Sequence, residues 1–298
     1  MKVETHQFTT EAEWLRMRSL DVTSTECAAL FGKSPYTSYY KLWHSKKNLS
    51  IGGGFKESEK MKWGKRLQDA IAEGIAHERG WTIRKMDEYM RLPDVRMGSS
   101  FDFAIGDDAL LEIKNVGEKA FSKWSDTRAP EHIELQCQHQ LAVSGRRVCY
   151  IGALVGGNTA HVIERQRDEV CIKLIFERVK FFWDTIDAGM APSPDWDVDS
   201  DEYIQRNDFA EPNKQAPMTA DIKKLCAEYS EWTTKGNQVE AAKKAIKARI
   251  LSLIGDAELC TGQGYTISAG VVGPSRVEAY DRKAYRTFKI TTKRDSNE

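Results

Sequence analysis

An alternation of apolar and polar residues around a glycine-containing turn constrains this chain more than any other feature. Phe101, Phe103 and Ile105 recur at every second position, Gly106-Asp107-Asp108 interrupts them, and Leu111 and Ile113 resume the pattern. A period of two belongs to a strand with one buried face, and two such runs around a three-residue loop make an antiparallel hairpin. A loop centred on Asp107 sets Asp102 opposite Glu112, since each lies five residues from that centre. Residues so opposed have Cβ atoms about 5 Å apart. Lys114, two residues beyond Glu112, leaves the strand on the same face as Glu112. If Leu111 and Ile113 are buried, with Phe101 and Phe103 doing the same across the hairpin, the polar trio shares the other face.

Periodicity around the hairpin predicts an alternating series of elements. A short helix is expected over 26–31. Trp63, Leu67, Ile71 and Ile75, at steps of four, predict a helix over 59–79 that Gly80 stops. Pro130 and Gly145 bracket a further helix. Segments 148–155 and 159–165 flank Gly156-Gly157-Asn158 as a second hairpin, and 168–188 carries a broad apolar face that includes Cys171, Leu174, Ile175, Val179 and Phe182. Helices interleaved with hairpins imply an α/β chain of the α+β kind with a mixed sheet.

Composition shifts near residue 190. Pro192, Pro194, Pro212 and Pro217 enclose the run Asp195, Asp197, Asp199, Asp201 and Glu202, so 194–217 reads as an acidic linker or extended strap. It would join a domain of residues 1–193 to a mainly helical extension of residues 218–298. In the extension, positions 222, 225, 229, 232, 236, 239, 243, 246, 250 and 253 read Ile, Leu, Tyr, Trp, Gly, Val, Lys, Ile, Ile and Leu. Steps alternating between three and four make a heptad seam, interrupted at Gly236 and Lys243. One long helix or two hinged at Gly236-Asn237 would satisfy it, packed on its own domain or on another subunit. Short strands are expected around 264–268 and a basic helix or loop over 281–289.

Charge sharpens the class. Lys and Arg number 44, and Asp and Glu 44, which excludes a globally basic surface. The balance is uneven: residues 1–193 carry +1, 194–213 carry −6 and 214–298 carry +5. No apolar run has the roughly 20 residues of a membrane span, and the first residues lack the pattern of a signal peptide. Six cysteines without a CxxC pair read as buried thiols in a reducing cytoplasm.

The hairpin trio carries the chemistry. Two carboxylates that close repel unless a cation sits between them, and an all-oxygen set suits Mg²⁺ or Mn²⁺. A lysine beside them can orient a water or stabilise charge growing on a phosphate. The alternative is a solvated hairpin face with a surface ion pair. On the following helix His132, Gln136 and Gln140 fall at i, i+4 and i+8, one stripe, beside Gln138 and His139. Turned inward, such amides position water or phosphate without competing for a metal; turned outward, they are an ordinary polar face. Gly52-Gly53-Gly54 reads as a flexible loop or a clamp over nucleic acid, and Trp124 as a core cap or a base-stacking side chain.

In order along the chain, these residues resemble a known family. Gly98-Ser99-Ser100-Phe101-Asp102, Leu111-Glu112-Ile113-Lys114 and Gln136-Cys137-Gln138-His139 are similar to the motifs of YqaJ-type viral recombinases, the phage lambda exonuclease branch of the PD-(D/E)XK nucleases. Trp14, Arg18 and Val22-Thr23-Ser24-Thr25-Glu26 resemble the family's N-terminal motif; Phe31-Gly32, Ser34-Pro35-Tyr36, Leu42-Trp43, Trp63-Gly64-Lys65-Arg66-Leu67-Gln68 and Phe182-Trp183 follow suit. The resemblance spans roughly residues 10–195. It implies a PD-(D/E)XK core in which Asp102, Glu112 and the Ile113 carbonyl hold Mg²⁺, or Mn²⁺. Lys114 and Gln136 would serve catalysis, and Arg18 and Thr25 would hold a DNA 5′-phosphate. Gln138 and His139 are accessory positions, as is Gln68, which stands where the family has a glutamate; Thr25 stands for a serine. The implied activity is 5′→3′ hydrolysis of double-stranded DNA by a ring-shaped homotrimer working with a single-strand-annealing protein, in a bacterial cell hosting a phage or prophage. Alternatives are a nicking or structure-specific endonuclease of the same fold, or a non-catalytic DNA-end-binding module.

Overall fold

The computed structural model describes residues 2–48 and 58–273, so the glycine run at 52–54 and the basic segment at 281–289 lie outside the described residues. The chain divides into two compact units between Tyr203 and Ile204. In the N-terminal unit the elements are β1 (Glu4–His6), α1 (Glu11–Ser19), β2 (Val22–Thr23), α2 (Ser24–Cys27), α3 (Tyr39–Lys47), α4 (Glu59–Arg79), β3 (Ile83–Lys85), β4 (Tyr89–Leu92), β5 (Met97–Ser100), β6 (Phe103–Ile105), β7 (Ala109–Val116), α5 (Glu118–Phe121), α6 (Glu131–Ser144), β8 (Val148–Val155), β9 (Thr159–Gln166) and α7 (Glu169–Asp187), and α8 (Trp196–Arg206) runs across the boundary. The mixed α/β class expected from the sequence is the class observed.

The central sheet has the order β3-β6-β7-β8-β9 and is antiparallel except for the parallel pair β7-β8. The β6-β7 pairing, Phe103 with Leu111 and Ile105 with Ala109, centres on Asp107 as the turn dictates. Both faces are covered, and alternate residues of β7 therefore enter different cores. Leu111 and Ile113 join Ile71, Ala72 and Ile75 of α4 and Phe103, whereas Leu110 joins the larger core built with α6 and α7. Each fully buried Ile or Leu contributes about 2 kcal/mol by the area it removes from water. Gly152 of β8 lets α4 sit this close: a Cβ there would lie 2.7 Å from Ile75 Cδ1.

Helix ends follow the sequence signals. Gly80 closes α4 and Gly145 closes α6, both in the left-handed region at φ 66° and 74°. Asp168 caps α7 by accepting from the Val170 and Cys171 amides.

A second sheet, β1-β4-β5-β2, has no counterpart in the sequence reading. Its strands are two to four residues long, too short to show a period. Phe101 also departs from expectation: it belongs to the α6 core while Phe103 belongs to the α4 core, because pairing stops at Phe103 and the chain turns there. Residues 196–206, inside the acidic stretch expected to be a linker or strap, form the helix α8. Its Asp199 is buried, accepting from the Ser38 hydroxyl and from the Asp195 amide.

The C-terminal unit holds α9 (Ala220–Ile254), one continuous helix through Gly236, and the hairpin β10 (Leu259–Gly262) with β11 (Tyr265–Ser268). No residue of α9 is buried. All six cysteines are free; Cys27, Cys137 and Cys149 are buried, as expected, but Cys260 is exposed. Among the described residues no helix is long and apolar enough to cross a membrane.

Candidate active site

The hairpin and α6 meet at Glu112. Its side chain is 5% exposed, yet both carboxylate oxygens are fully engaged. Oε1 accepts from Lys114 Nζ and from Gln136 Nε2, each at 2.6 Å, and Oε2 accepts from Gln140 Nε2 at 2.7 Å. Lys114 Nζ also donates to Gln136 Oε1 at 3.1 Å. The strand period delivers Glu112 and Lys114 to one face, and the helical step of four delivers Gln136 and Gln140 to the same point. The i, i+4, i+8 stripe of α6 is thus turned inward, and the surface-ion-pair alternative for the hairpin does not hold.

Asp102 lies just outside the β6-β7 ladder. Its Oδ2 accepts from the Ile113 amide at 2.7 Å, and its own carbonyl accepts from the Met86 amide at 3.0 Å. Burial, and then the Glu112 charge, push its carboxyl up to about 7, against the opposing pull of Lys114, the Ile113 amide and a hydrogen bond from Gln68. Burial works against the Lys114 charge, but Glu112 and Asp102 outweigh it and hold its pKa above the ordinary lysine value. Gln68 therefore reaches the site as a neutral partner of Asp102. Asp69 beside it is turned away and pairs with Lys85 at 2.6 Å.

His132 begins the same stripe. Its ring meets Tyr36 edge to face at 5.7 Å, and burial followed by the charges of Lys114 and Lys123 lowers its pKa. Gln138 and His139 are drawn elsewhere. Gln138 donates to the Gln166 carbonyl and accepts from the Asp168 amide, tying α6 to the start of α7. His139 Nε2 lies 3.1 Å from the Val22 carbonyl; burial lowers its pKa to about 4, so the ring is neutral and structural. Trp124 packs with Phe121 and His161 as a core cap.

Arg18 and Thr25 form a second cluster. Arg18 Nη2 donates to Thr25 Oγ1 at 3.4 Å, and the guanidinium lies 4.5 Å from the centre of the Trp14 ring. Trp14 Nε1 donates to Ser100 Oγ at 3.0 Å, and the Ser100 carbonyl accepts from Gln140. A contact chain of Arg18, Trp14, Ser100, Gln140 and Glu112 thereby joins the two clusters. The network holding Arg18 in place escaped the sequence reading. Lys46, 5% exposed, donates to the carbonyls of Arg18 and Asp21 and pairs with Glu26, while fully buried Asp21 receives Arg91 and the Tyr89 hydroxyl. Gln140 was legible only as a member of the stripe.

Among the described residues no group of three or more His, Cys, Asp or Glu side chains is arranged to hold a metal ion. The oxygen donors of Asp102 and Glu112 are of the kind that suits a hard divalent ion.

A mixed sheet that presents two carboxylates and a lysine from one hairpin, backed by a glutamine-bearing helix, is the arrangement that the resemblance to PD-(D/E)XK nucleases implies. Residues 13–147 match the family model described as the YqaJ-like viral recombinase domain, a span that includes every candidate site residue. The family resemblance read from the sequence is thus shown for this part of the chain. The chain is 26% identical over 253 residues to the protein YqaJ of Bacillus subtilis (strain 168), covering 83% of this chain and 79% of that one. Among solved structures it is similar to an alkaline exonuclease of Laribacter hongkongensis, with 21% identity and a TM-score of 0.49 over 65% of this chain and 96% of that one. The same exonuclease, LHK-Exo, in complex with dAMP gives 22% identity and a TM-score of 0.50 over the same shares. At 22% identity and a TM-score of 0.50, the second of these likenesses is one of fold.

Proposed function

We propose that this chain is a divalent-metal-dependent deoxyribonuclease that hydrolyses linear double-stranded DNA from its 5′ ends and supplies single strands to an annealing partner in phage-type recombination. The observation that carries this reading is the Lys114 ammonium, held between Glu112 and Gln136 beside a second carboxylate, Asp102. Asp102, Glu112 and the Ile113 carbonyl would hold Mg²⁺, or Mn²⁺, which when bound polarises a phosphate and lowers the pKa of a water. Lys114 is fixed in its charged form, so its role is to orient a water and to stabilise negative charge on the phosphate rather than to accept a proton. Gln136 touches both Lys114 and Glu112 and positions the same water through its amide. Arg18 and Thr25 would grip a terminal 5′-phosphate, the arginine by charge-assisted hydrogen bonds and the threonine by its hydroxyl. Assembly as a homotrimer belongs to the same proposal.

One gel tests the core of it. Purified protein with Mg²⁺ should degrade 5′-labelled linear duplex and leave covalently closed circular DNA intact, and Lys114→Ala should abolish degradation. Cleavage of the closed circle would point to an endonuclease, and robust degradation by Lys114→Ala would overturn the assignment.

A further inference from the structure

One member of the inward stripe of α6 stands apart from the other two. Gln140 and Gln136 both donate to Glu112 and are buried, whereas His132, one turn before Gln136, is only half-buried. Among the described residues neither ring nitrogen of His132 has a hydrogen-bond partner. The ring is held all the same. Tyr36 meets it edge to face, and Lys33 pairs with Glu131 at 2.8 Å, which ties the segment before α3 to the first turn of α6. A ring fixed in place with its polar edge free is suited to a ligand that supplies the missing acceptor.

The two clusters of the site give the stripe a direction. The contact chain from Arg18 through Trp14 and Ser100 reaches the stripe at Gln140. Lys114 reaches it at Gln136. His132 is next in line, one helical turn farther out, about 5.4 Å along the axis. That step is comparable to the separation of successive phosphates along a nucleic-acid strand. We propose that His132 donates a hydrogen bond to the phosphate one nucleotide to the 3′ side of the bond being hydrolysed. The inference rests on the nuclease reading above, in which Arg18 holds the 5′-terminal phosphate and Lys114 faces the scissile one. With those two points taken, the third point on the line falls to the next phosphate of the same strand.

The chemistry of the ring fits that ligand. A neutral imidazole always carries one N–H donor. Burial, followed by the charges of Lys114 and Lys123, lowers the pKa of His132, so above pH 7 the ring is uncharged and binds by its hydrogen bond alone. The exposed Lys123, near enough to act on the ring, draws the same anion.

The test is a substrate and residue cycle on the full chain with Mg²⁺. Two 5′-phosphorylated linear duplexes are compared, one all-phosphate and one with an uncharged methylphosphonate between its second and third nucleotides. Release of the first nucleotide is followed in a single turnover. The methylphosphonate should slow the parent about tenfold, the loss of one hydrogen bond to a charged group. His132→Ala should be slower than the parent by a similar factor on the all-phosphate duplex and no slower again on the modified one. His132→Gln, which keeps a donor, should recover part of the rate and of the sensitivity to the modification. A histidine with a merely structural role would slow both duplexes alike, so an equal methylphosphonate penalty in the parent and in His132→Ala overturns the proposal. So does a His132→Ala that matches the parent on the all-phosphate duplex. A parent that releases no nucleotide from the all-phosphate duplex is a different failure, because it overturns the nuclease reading itself and this inference with it.

Discussion

Replacing Asp102 with asparagine should stabilise the metal-free protein at alkaline pH while destroying its activity. Burial and the Glu112 charge raise the Asp102 carboxyl from 3.8 to about 7, an interval equivalent to about 4 kcal/mol at 1.36 kcal/mol per pH unit. The side chain is only partly covered, and discounting for water at its exposed edge leaves roughly 2–3 kcal/mol. The sign follows from the direction of the shift. The folded state binds the proton more tightly than the unfolded chain, so this stabilisation is complete below about pH 4, declines as pH rises, and is gone above about pH 7. Asparagine resembles the protonated acid and can still accept from the Ile113 amide. Asp102→Asn should therefore match the parent near pH 4 and exceed it at pH 8 by roughly 2–3 kcal/mol. For a domain of this size that is a rise of about 5–10 °C in Tm. Thermal melts from about pH 4.5 to 8.5 in EDTA measure it. Adding Mg²⁺ should raise the parent's Tm at pH 8 and leave the variant unmoved. Parallel curves for the two proteins across the whole range would refute the reasoning, since Asp102 would then titrate normally.

Three further outcomes follow from particular contacts. Gln140→Leu removes a hydrogen bond to a buried carboxylate and should cost about 2 kcal/mol, read as a lowered midpoint in urea with unchanged slope; kcat should fall with it, because Glu112 loses one of its three donors. Gly98→Ala would place a Cβ 2.1 Å from the Tyr89 hydroxyl and 2.7 Å from Asp21, rigid and buried neighbours, and should destabilise by about 3 kcal/mol, seen in the same titration. Arg18→Ala should erase the preference for 5′-phosphorylated over dephosphorylated linear ends while retaining slow cleavage, measured by rates on the two substrates side by side.

What could be read in advance depended on how locally each feature is encoded. The register of β6-β7 was legible because a three-residue turn fixes it, and with it the approach of Asp102 to Glu112. The limits of α4 and α6 were legible because Gly80, Pro130 and Gly145 act on the backbone at their own positions. That the stripe of α6 turns inward was not decidable from spacing, since an exposed and a buried amide face share one period. The β2-β5 pair joins Val22 to Met97 in parallel, a long-range contact with no periodic trace. Lys46 sits in a run of polar residues that reads as a solvated helix end, and only the tertiary fold shows it enclosed by two carbonyls and Glu26. In residues 196–206 acidic composition masked a helix whose Asp199 turns back onto the Asp195 amide just before the helix and onto Ser38.

The neutrality of the chain conceals how its charge is used. Around Glu112 the structure spends one cation, Lys114, on two carboxylates, and fills the remaining acceptor sites with amides: Gln136 and Gln140 on Glu112, Gln68 on Asp102. An amide satisfies a buried carboxylate without neutralising it, so once Asp102 is ionised the local sum is −1, a charge that suits a divalent ion. A second lysine or an arginine in place of any of these glutamines would remove that charge and compete for the ion's position. A glutamate at position 68 would add a third carboxylate and drive Asp102 still higher before an ion arrives. The substitution that departs from the family pattern thus lowers the repulsion that Asp102 must bear. The equality of 44 basic and 44 acidic residues is compatible with the proposed DNA-directed function, in which attraction to phosphate would rest on an ion at a local anionic point and on Arg18, not on the surface as a whole.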